Sequence, residues 1–385
     1  MGYVRARGGA VSRAQLTGLL GVSRSKVSAD VGQLVGSGLL VEDGYGDSEG
    51  GRRSSLLHVP REAGLVAGVD LGATSIDVAL TTFGGEILAH GSGPADIRDG
   101  PPAVLGRARA MLGKLLAGEG AGPGDVLAVG VGVPGPVEHA SGLPTAPPIM
   151  PGWDLYPVKD AFADDYHAPV FVDNDVNIMA LGEHWGGVGR GVENMLFVKV
   201  GTGIGCGIIV GGRIYRGSQG SAGDIGHVRA DPNGPVCSCG NVGCLEAMAA
   251  APAIVRQAEG LAAREPRGVL AAMRDAGELD LRGVLKAAEF GDAGAVGIVR
   301  RSGRLIGETL ATLVSVLNPS LIVIGGGVAY AASHTLLAEV RGAVYRRSLP
   351  LATRNLPVVL SKLEDTAGVI GASVLAAEGV LEIAR

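Results

Sequence analysis

The chain reads as an α/β protein of two lobes behind a small helix-turn-helix head. Three observations lead there. Glycine-rich turns at 71–75, 201–207 and 325–327 each follow a short apolar run. A paired-helix rhythm and a polar hairpin tip fill residues 1–62. Three of the four cysteines gather with a histidine inside 227–246.

The 385 residues suffice for two or three domains, and 46% hydrophobic against 18% charged residues allows a sizeable core. The 65 glycines follow no collagen-like period and cluster at strand ends, so they mark tight turns. Residues 1–62 carry a net charge of +2 and the remainder −7. A mildly basic head on an acidic body points to nucleic-acid contact by the head. No signal peptide is evident, and no uninterrupted apolar run reaches about 18 residues. The longest candidate, around 305–328, is broken by Glu308 and by Asn318-Pro319. A cytoplasmic protein with no membrane partner is expected. Clustered cysteines in such a chain suit metal binding rather than disulfides.

In the head, Ser12 suits the N-cap of a helix bearing Leu16, Leu19 and Leu20, and Gly21 suits its end. Ser23 suits the cap of a second helix with Val27, Val31, Leu34 and Val35 on its apolar side. That leaves Arg24, Ser25, Lys26 and Ser28 facing out, short polar and basic residues suited to a major groove. Leu39-Leu40-Val41, a polar tip and Leu56-Leu57-His58-Val59 then predict a hairpin wing. Arg52 and Arg53 near its tip could reach phosphates or a narrow minor groove. The alternative is a helical adaptor that touches only protein. Only about ten residues precede Val11, so the helix that normally opens such a domain is short, or the natural start lies further upstream.

The body begins with a strand over 66–70 that runs into Asp-Leu-Gly-Ala-Thr-Ser, followed by a strand over 76–83. Such a turn can wrap phosphates with backbone N–H groups, and Asp70 can hold a hydrated Mg²⁺. The pattern recurs at 201–207 after the strand 195–200, and again at 325–327 after 321–324. One such turn ends a strand in any α/β protein; three suggest a two-lobed actin-like kinase fold. Between them, a strand ends in Asp173-Asn174-Asp175 and a helix follows with Asn177 on its first turn. An Asp there can act as general base toward a sugar hydroxyl, or these residues can simply cap the helix. Residues 253–320 read as helical, with Ile298, Leu305, Leu313 and Val316 near one stripe for core or subunit contact; 367–384 reads as an apolar-faced helix packing on the first lobe.

His227, Cys237, Cys239 and Cys244 make a complete tetrahedral donor set for Zn²⁺, the mark of a structural site. Gly234, Gly240 and Gly243 let the chain turn tightly enough for the four to converge. Asp224 and Glu246 flank the knot and could hold a ligand.

DLGATS, VGVPGPV, VDNDVN, GTGIGCGIIVGGRIYRGSQGSAGDIGH and CSCGNVGCLE together resemble the ROK family of repressors and sugar kinases over nearly the whole chain. The branch with an N-terminal winged helix-turn-helix is similar to the xylose and N-acetylglucosamine repressors. The resemblance implies an actin-like ATPase (ribonuclease H-like) sugar kinase fold over 63–385, behind the head at 1–62. A small lobe would take 63–173 and the C-terminal helix 367–384, and a large lobe 174–366 with the zinc knot at 227–246. It implies sugar contacts from Asn174, Asp175, Asp224, His227 and Glu246, with Asp175 the base in a kinase. It implies that Asp70, Gly72, Thr74, Gly201, Thr202, Gly203 and Gly326 line a site for ATP and Mg²⁺. His227 would turn one ring nitrogen to zinc and the other to the sugar. Two departures stand out: Asp224 replaces the Glu usual in kinases, and Ala73 and Ser75 occupy the end of the phosphate turn. The expected function is a sugar-responsive DNA-binding regulator, homodimeric or homotetrameric, that binds operator DNA and a sugar or sugar phosphate. An ATP-dependent sugar kinase is the alternative.

Overall fold

The computed structural model describes Val4 and residues 11–45 and 54–383. In the head, β1 (Val11–Ser12), β2 (Val41–Tyr45) and β3 (Ser55–His58) form an antiparallel sheet in the order β1-β3-β2, with the helices Arg13–Leu20 and Arg24–Gly36. Ser12 and Gln15 exchange side-chain and backbone hydrogen bonds in a capping box. Gly21 ends that helix in the left-handed region, at φ +63°, where a Cβ would be strained. Ser23 caps the second helix by accepting the Lys26 N–H. Val4, Val11, Leu16, Val27, Val31, Leu40 and Leu57 form the core. Leu19, Leu20 and Val35, expected on the apolar faces, are exposed. So small a core is closed by Leu16, Val27 and Val31 and leaves no facing surface for a wider stripe.

The body is one topology built twice. The first sheet has the order β10-β7-β4-β5-β6, from β4 (Leu65–Leu71), β5 (Ser75–Thr82), β6 (Ile87–Pro94), β7 (Val126–Val133) and β10 (Val170–Asn174). A small hairpin, β8 (Val137–Glu138) with β9 (Leu143–Pro144), interrupts it. The second sheet has the order β13-β12-β11-β14-β15, from β11 (Met195–Val200), β12 (Ile204–Val210), β13 (Arg213–Ile214), β14 (Leu321–Gly325) and β15 (Val358–Leu360). Each opens with three antiparallel strands and then adds two parallel strands beside the first. The parallel strands are buried on both faces, as their Val- and Ile-rich sequences require.

A helix follows the fifth strand of each sheet: Asp175–Gly186 after β10, and Thr366–Ile383 after β15. The two lie against each other, with Gly182 on the Ala367 carbonyl and Gly371 on the Ile178 carbonyl. The C-terminal helix also lies on β4 and β7, where the paired glycines Gly68 and Gly130 meet the Val369 and Ala372 carbonyls. A methyl group at any of these four glycines would overlap backbone. The far end of this helix, at Ala376 and Ala377, shares an apolar cluster with Leu39 and Val59, which link it to the head.

Length and composition alone would let Thr366–Ile383 cross a membrane, but 67% of it is buried inside the fold, as in a core helix. The 305–328 stretch, the longest apolar run by sequence, divides instead between the helix Ala293–Leu317 and β14. Along Ala293–Leu317, Ile298 and Leu305 are buried and Leu313 is half-buried, but Val316 is 72% exposed. Val316 lies in the last turn before the left-handed Asn318 cap, past the packed length of the helix.

Gly371→Ala should destabilise the fold by about 1–3 kcal/mol through overpacking. Gly113→Ala, in an exposed helix position with open space around it, should stabilise by up to about 1 kcal/mol. Paired thermal melts of the two variants check both signs.

Candidate functional site

A cleft of about 420 Å³ opens between the two halves of the body, within the usual range for small-molecule sites. Its walls come from strand ends, where glycine turns keep side chains out of the way. Gly72 and Thr74 follow β4, Gly201, Thr202 and Gly203 follow β11, and Gly327 and Val328 follow β14. Asn174, Asp175, Asp224, His227 and Glu246 complete it. Two residues expected at the nucleotide end stand back. Asp70 is packed against Gly368 of the C-terminal helix, and Gly326 lies against the Val200 backbone, off the cleft wall.

The tripeptide 173–175 divides its labour. Asn174 is the N-cap: its Oδ1 accepts the Val176 and Asn177 N–H groups, and its Nδ2 donates to the Gly135 carbonyl. Asp173, buried, accepts from Asn177 Nδ2 at 2.8 Å and from Arg216 Nε at 2.7 Å. Capping therefore falls to Asn174 and bracing to Asp173, and Asp175 faces the cleft. Its Oδ2 lies 2.5 Å from Lys199 Nζ. Lys199, Arg216 and Asp365, which also lines the cleft, are not singled out by sequence motifs. One signal pointed at Lys199: a lone charge in the apolar strand Met195–Val200 requires a buried partner.

The electrostatics follow from burial. Burial pushes Asp70 up to about 7, against the pull of the Lys199 ammonium, and its Oδ1 has no hydrogen-bond partner. Burial would lower Lys199, but the carboxylates of Asp175, Asp70 and Asp77 override it and hold it above its ordinary value. Burial also raises Asp224 and Glu246, offset in both by His227, and in Glu246 by the Ile204 N–H.

Below the cleft, His227, Cys237, Cys239 and Cys244 bring their donor atoms within 4.8 Å of one another. Cys237 Sγ is 3.6 Å from His227 Nδ1, and Cys239 Sγ is 3.7 Å from Cys244 Sγ. The edge of a tetrahedron with metal–ligand bonds of about 2.0–2.3 Å is about 3.3–3.8 Å, so this cluster could hold a metal ion. The Asn241 N–H leads the hydrogen bonds that hold the Cys239 thiol down to about 7, favouring the thiolate a metal needs. Cys206, the cysteine outside the knot, is buried and pushed up to about 12. Bridges between Arg229 and Cys244 and between Val236 and Val242 close the knot. Gly243, at φ +74°, lies so close to the Asp231 carbonyl that no side chain fits. The knot aims its neighbours: His227 Nε2 points away from the thiols, 3.9 Å from Asp224 Oδ1. Cys244 starts the helix Leu245–Ala249, which sets Glu246 Oε2 to accept the Ile204 N–H.

In the head, Arg24, Ser25, Lys26 and Ser28 are exposed along the start of the second helix. Lys26 pairs with Asp30 at 2.7 Å on that exposed face. Arg52 and Arg53 lie outside the described residues.

Two measurements follow. After dialysis, the purified chain should retain about one equivalent of metal through its four ligands, and Cys239→Ser should lose most of it; metal content by emission spectroscopy decides this. Asp70 has a folded-state value near 7, above its ordinary 3.8. Its contribution to stability is therefore fully present below about pH 4 and is lost as pH rises through 7. Asp70→Asn should gain stability relative to the parent chain at pH 8 but not at pH 4, read from denaturant midpoints.

The ROK family model matches residues 66–379. The putative xylose repressor of Caldicellulosiruptor sp. (strain Rt8B.4) is 34% identical over 361 residues, covering 94% of this chain and 90% of that one. That length exceeds the body, so the likeness takes in part of the head. Among solved structures, a ROK family transcriptional regulator, a homolog of the E. coli MLC protein, superposes with a TM-score of 0.81 at 26% identity, covering 96% of this chain and 92% of that one. The ROK family glucokinase from Streptomyces griseus, in complex with glucose and AMPPNP, gives a TM-score of 0.72 at 32% identity, covering 82% of this chain and 100% of that one. The chain belongs to the ROK family.

Proposed function

We propose that this chain is a sugar-responsive, DNA-binding transcriptional regulator, a repressor of carbohydrate metabolism. One observation carries the reading: a winged head is joined to a body with a sugar-sized cleft, and the likeness to a putative xylose repressor runs through both. The head binds operator DNA through Arg24, Ser25, Lys26 and Ser28 in the major groove, and Arg52 and Arg53 add basic contacts to the backbone or minor groove. The cleft takes a sugar or sugar phosphate on Asn174, Asp175, Asp224, His227 and Glu246. We assign zinc to His227, Cys237, Cys239 and Cys244. With all four donors supplied by protein, the ion would have no open position, so it would cross-link the wall of the cleft and take no part in chemistry. The protein works in the cytoplasm with its operator, as a homodimer or homotetramer.

The C-terminal helix is the route from sugar to head. It starts beside Asp365 on the cleft wall and ends in the cluster with Leu39 and Val59. A sugar that draws the halves together moves this helix, and with it the seat of the head. The sugar biases operator binding only by its differential affinity for the two arrangements.

A second reading, an ATP-dependent hexokinase, is favoured by Asp175 on the cleft and by the likeness to a glucokinase. ATP would be held at Gly72, Thr74, Gly201, Thr202 and Gly203, which line the cleft, and would supply the phosphoryl group, while Asp70 and Gly326 stand back from the cleft. Asp175 would take the proton of the sugar hydroxyl.

Two tests follow. In gel retention, a sugar should shift operator affinity, and Glu246→Gln should weaken sugar binding by about tenfold or more through a lost charge-assisted hydrogen bond; sugar-independent retention would sink the regulator reading. Arg24→Ala with Lys26→Ala should weaken operator binding and flatten its salt dependence, with each lost phosphate contact lowering the log–log slope by about 0.9.

A further inference from the structure

Strand β11 reads Met-Leu-Phe-Val-Lys-Val, and Lys199 is its one charged residue. The doubled topology accounts for where it sits. Asp70 is the last residue but one of β4, two before Gly72, and pairs in register with Gly132 on β7. Lys199 is the last residue but one of β11, two before Gly201, and pairs with Gly325 on β14. The two are counterparts in the two halves, one an acid and one a base. Among the described residues, Lys199 is the only Lys or Arg on the cleft wall.

Its partner is the carboxylate expected to act as the base. Lys199 Nζ lies 2.5 Å from Asp175 Oδ2, with side-chain exposures of 20% and 7%. Asp175 Oδ1 accepts the Val176 N–H at 2.8 Å. Both carboxylate oxygens are thus engaged before any ligand arrives. We propose that Lys199 makes the cleft hold a sugar without phosphorylating it, by keeping Asp175 as a hydrogen-bond acceptor and withholding it as a base.

The inference rests on the reading of the cleft as a sugar site. A carboxylate has about four lone-pair positions, so Asp175 can accept a hydroxyl hydrogen bond while paired. Transfer from ATP asks for more. The sugar O–H bond must break and its proton settle on Asp175, while the sugar oxygen bonds to phosphorus and ADP leaves with the electrons of the broken P–O bond. Protonating Asp175 would neutralise the carboxylate hydrogen-bonded to the half-buried Lys199 ammonium. Asp70 and Asp77 also pull on this ammonium and keep it charged. Binding survives the pairing, and proton transfer does not.

The test uses the full chain with ATP, Mg²⁺ and D-glucose, D-xylose or N-acetyl-D-glucosamine, in a coupled turnover assay beside calorimetry with the same sugars. The parent chain should bind a sugar and turn it over at trace level. Lys199→Met should bind it within about tenfold and gain about 100-fold or more in kcat, the scale of a freed general base, with KM little changed. Lys199→Arg should behave as the parent, and Asp175→Asn added to Lys199→Met should remove the gain. A Lys199→Met chain that binds sugar yet gains no turnover, or loses it, overturns the inference. If Lys199→Met fails to fold by circular dichroism, Lys199→Gln takes its place, with the same gain expected and the same failure decisive. A parent chain that binds none of the three sugars overturns the sugar-site reading and the inference with it. A parent chain that already turns over at the rate of its Lys199→Met variant overturns the inference alone.

Discussion

The backbone contact between the helices Asp175–Gly186 and Thr366–Ile383 is the constraint on which the body depends. Gly182 and Gly371 place each helix against the other's carbonyls, and Gly68 and Gly130 seat the second helix on the first sheet. Backbone-to-backbone packing of this kind has no side chain to reshuffle, so it holds one arrangement closely or changes to another as a unit. Both helices begin at the cleft, one at Asp175 and the other just after Asp365. The separation of the two walls is therefore governed by the same contact that joins the lobes. The far end of the C-terminal helix reaches the cluster that seats the head, so one element spans sensor and effector.

Two kinds of local order are hung on this frame. The Cys/His knot aims His227 and Glu246 into the cleft, because gathering four donor atoms of one short segment within 4.8 Å of one another leaves its neighbours little freedom. Opposite it, the end of β10 is ordered by charge: Arg216 braces Asp173, Asn174 caps the helix, and Lys199 holds Asp175. Asp173 and Asp175 each have a cation and an N–H donor to offset their desolvation, whereas Asp70, with only the pull of the Lys199 ammonium, leaves its buried Oδ1 without a hydrogen-bond partner. Asp70 meets that cost by holding its proton to about pH 7.

How legible the protein was depends on the range of the interaction. Ser12, Gly21 and Ser23 mark the ends of the head helices correctly because capping is settled within four residues. The Cys/His ligand set is legible for a similar reason: its members lie within one loop, and the spacing alone permits convergence. Leu19, Leu20, Val35 and Val316 mislead, since periodicity reports which face a residue takes but not how far the opposing surface extends. The longest apolar run by sequence likewise pointed to 305–328, although the most span-like helix is Thr366–Ile383, 67% buried because sheet and helix enclose most of its length from Ala367 to Ala377.

The sequence by itself determined the class of the fold, the winged head, the turns that follow buried strands and the donors of the metal cluster. All of these arise from short-range chemistry: capping, alternation, glycine turns and ligand spacing. Only the tertiary structure decided that the body is one topology used twice, that Asp70 turns from the cleft toward Gly368, and that Lys199 meets Asp175. Lys199 and Asp175 are 24 residues apart and on different elements. No local preference brings them together; the packing of two sheets about one pair of glycine-lined helices does.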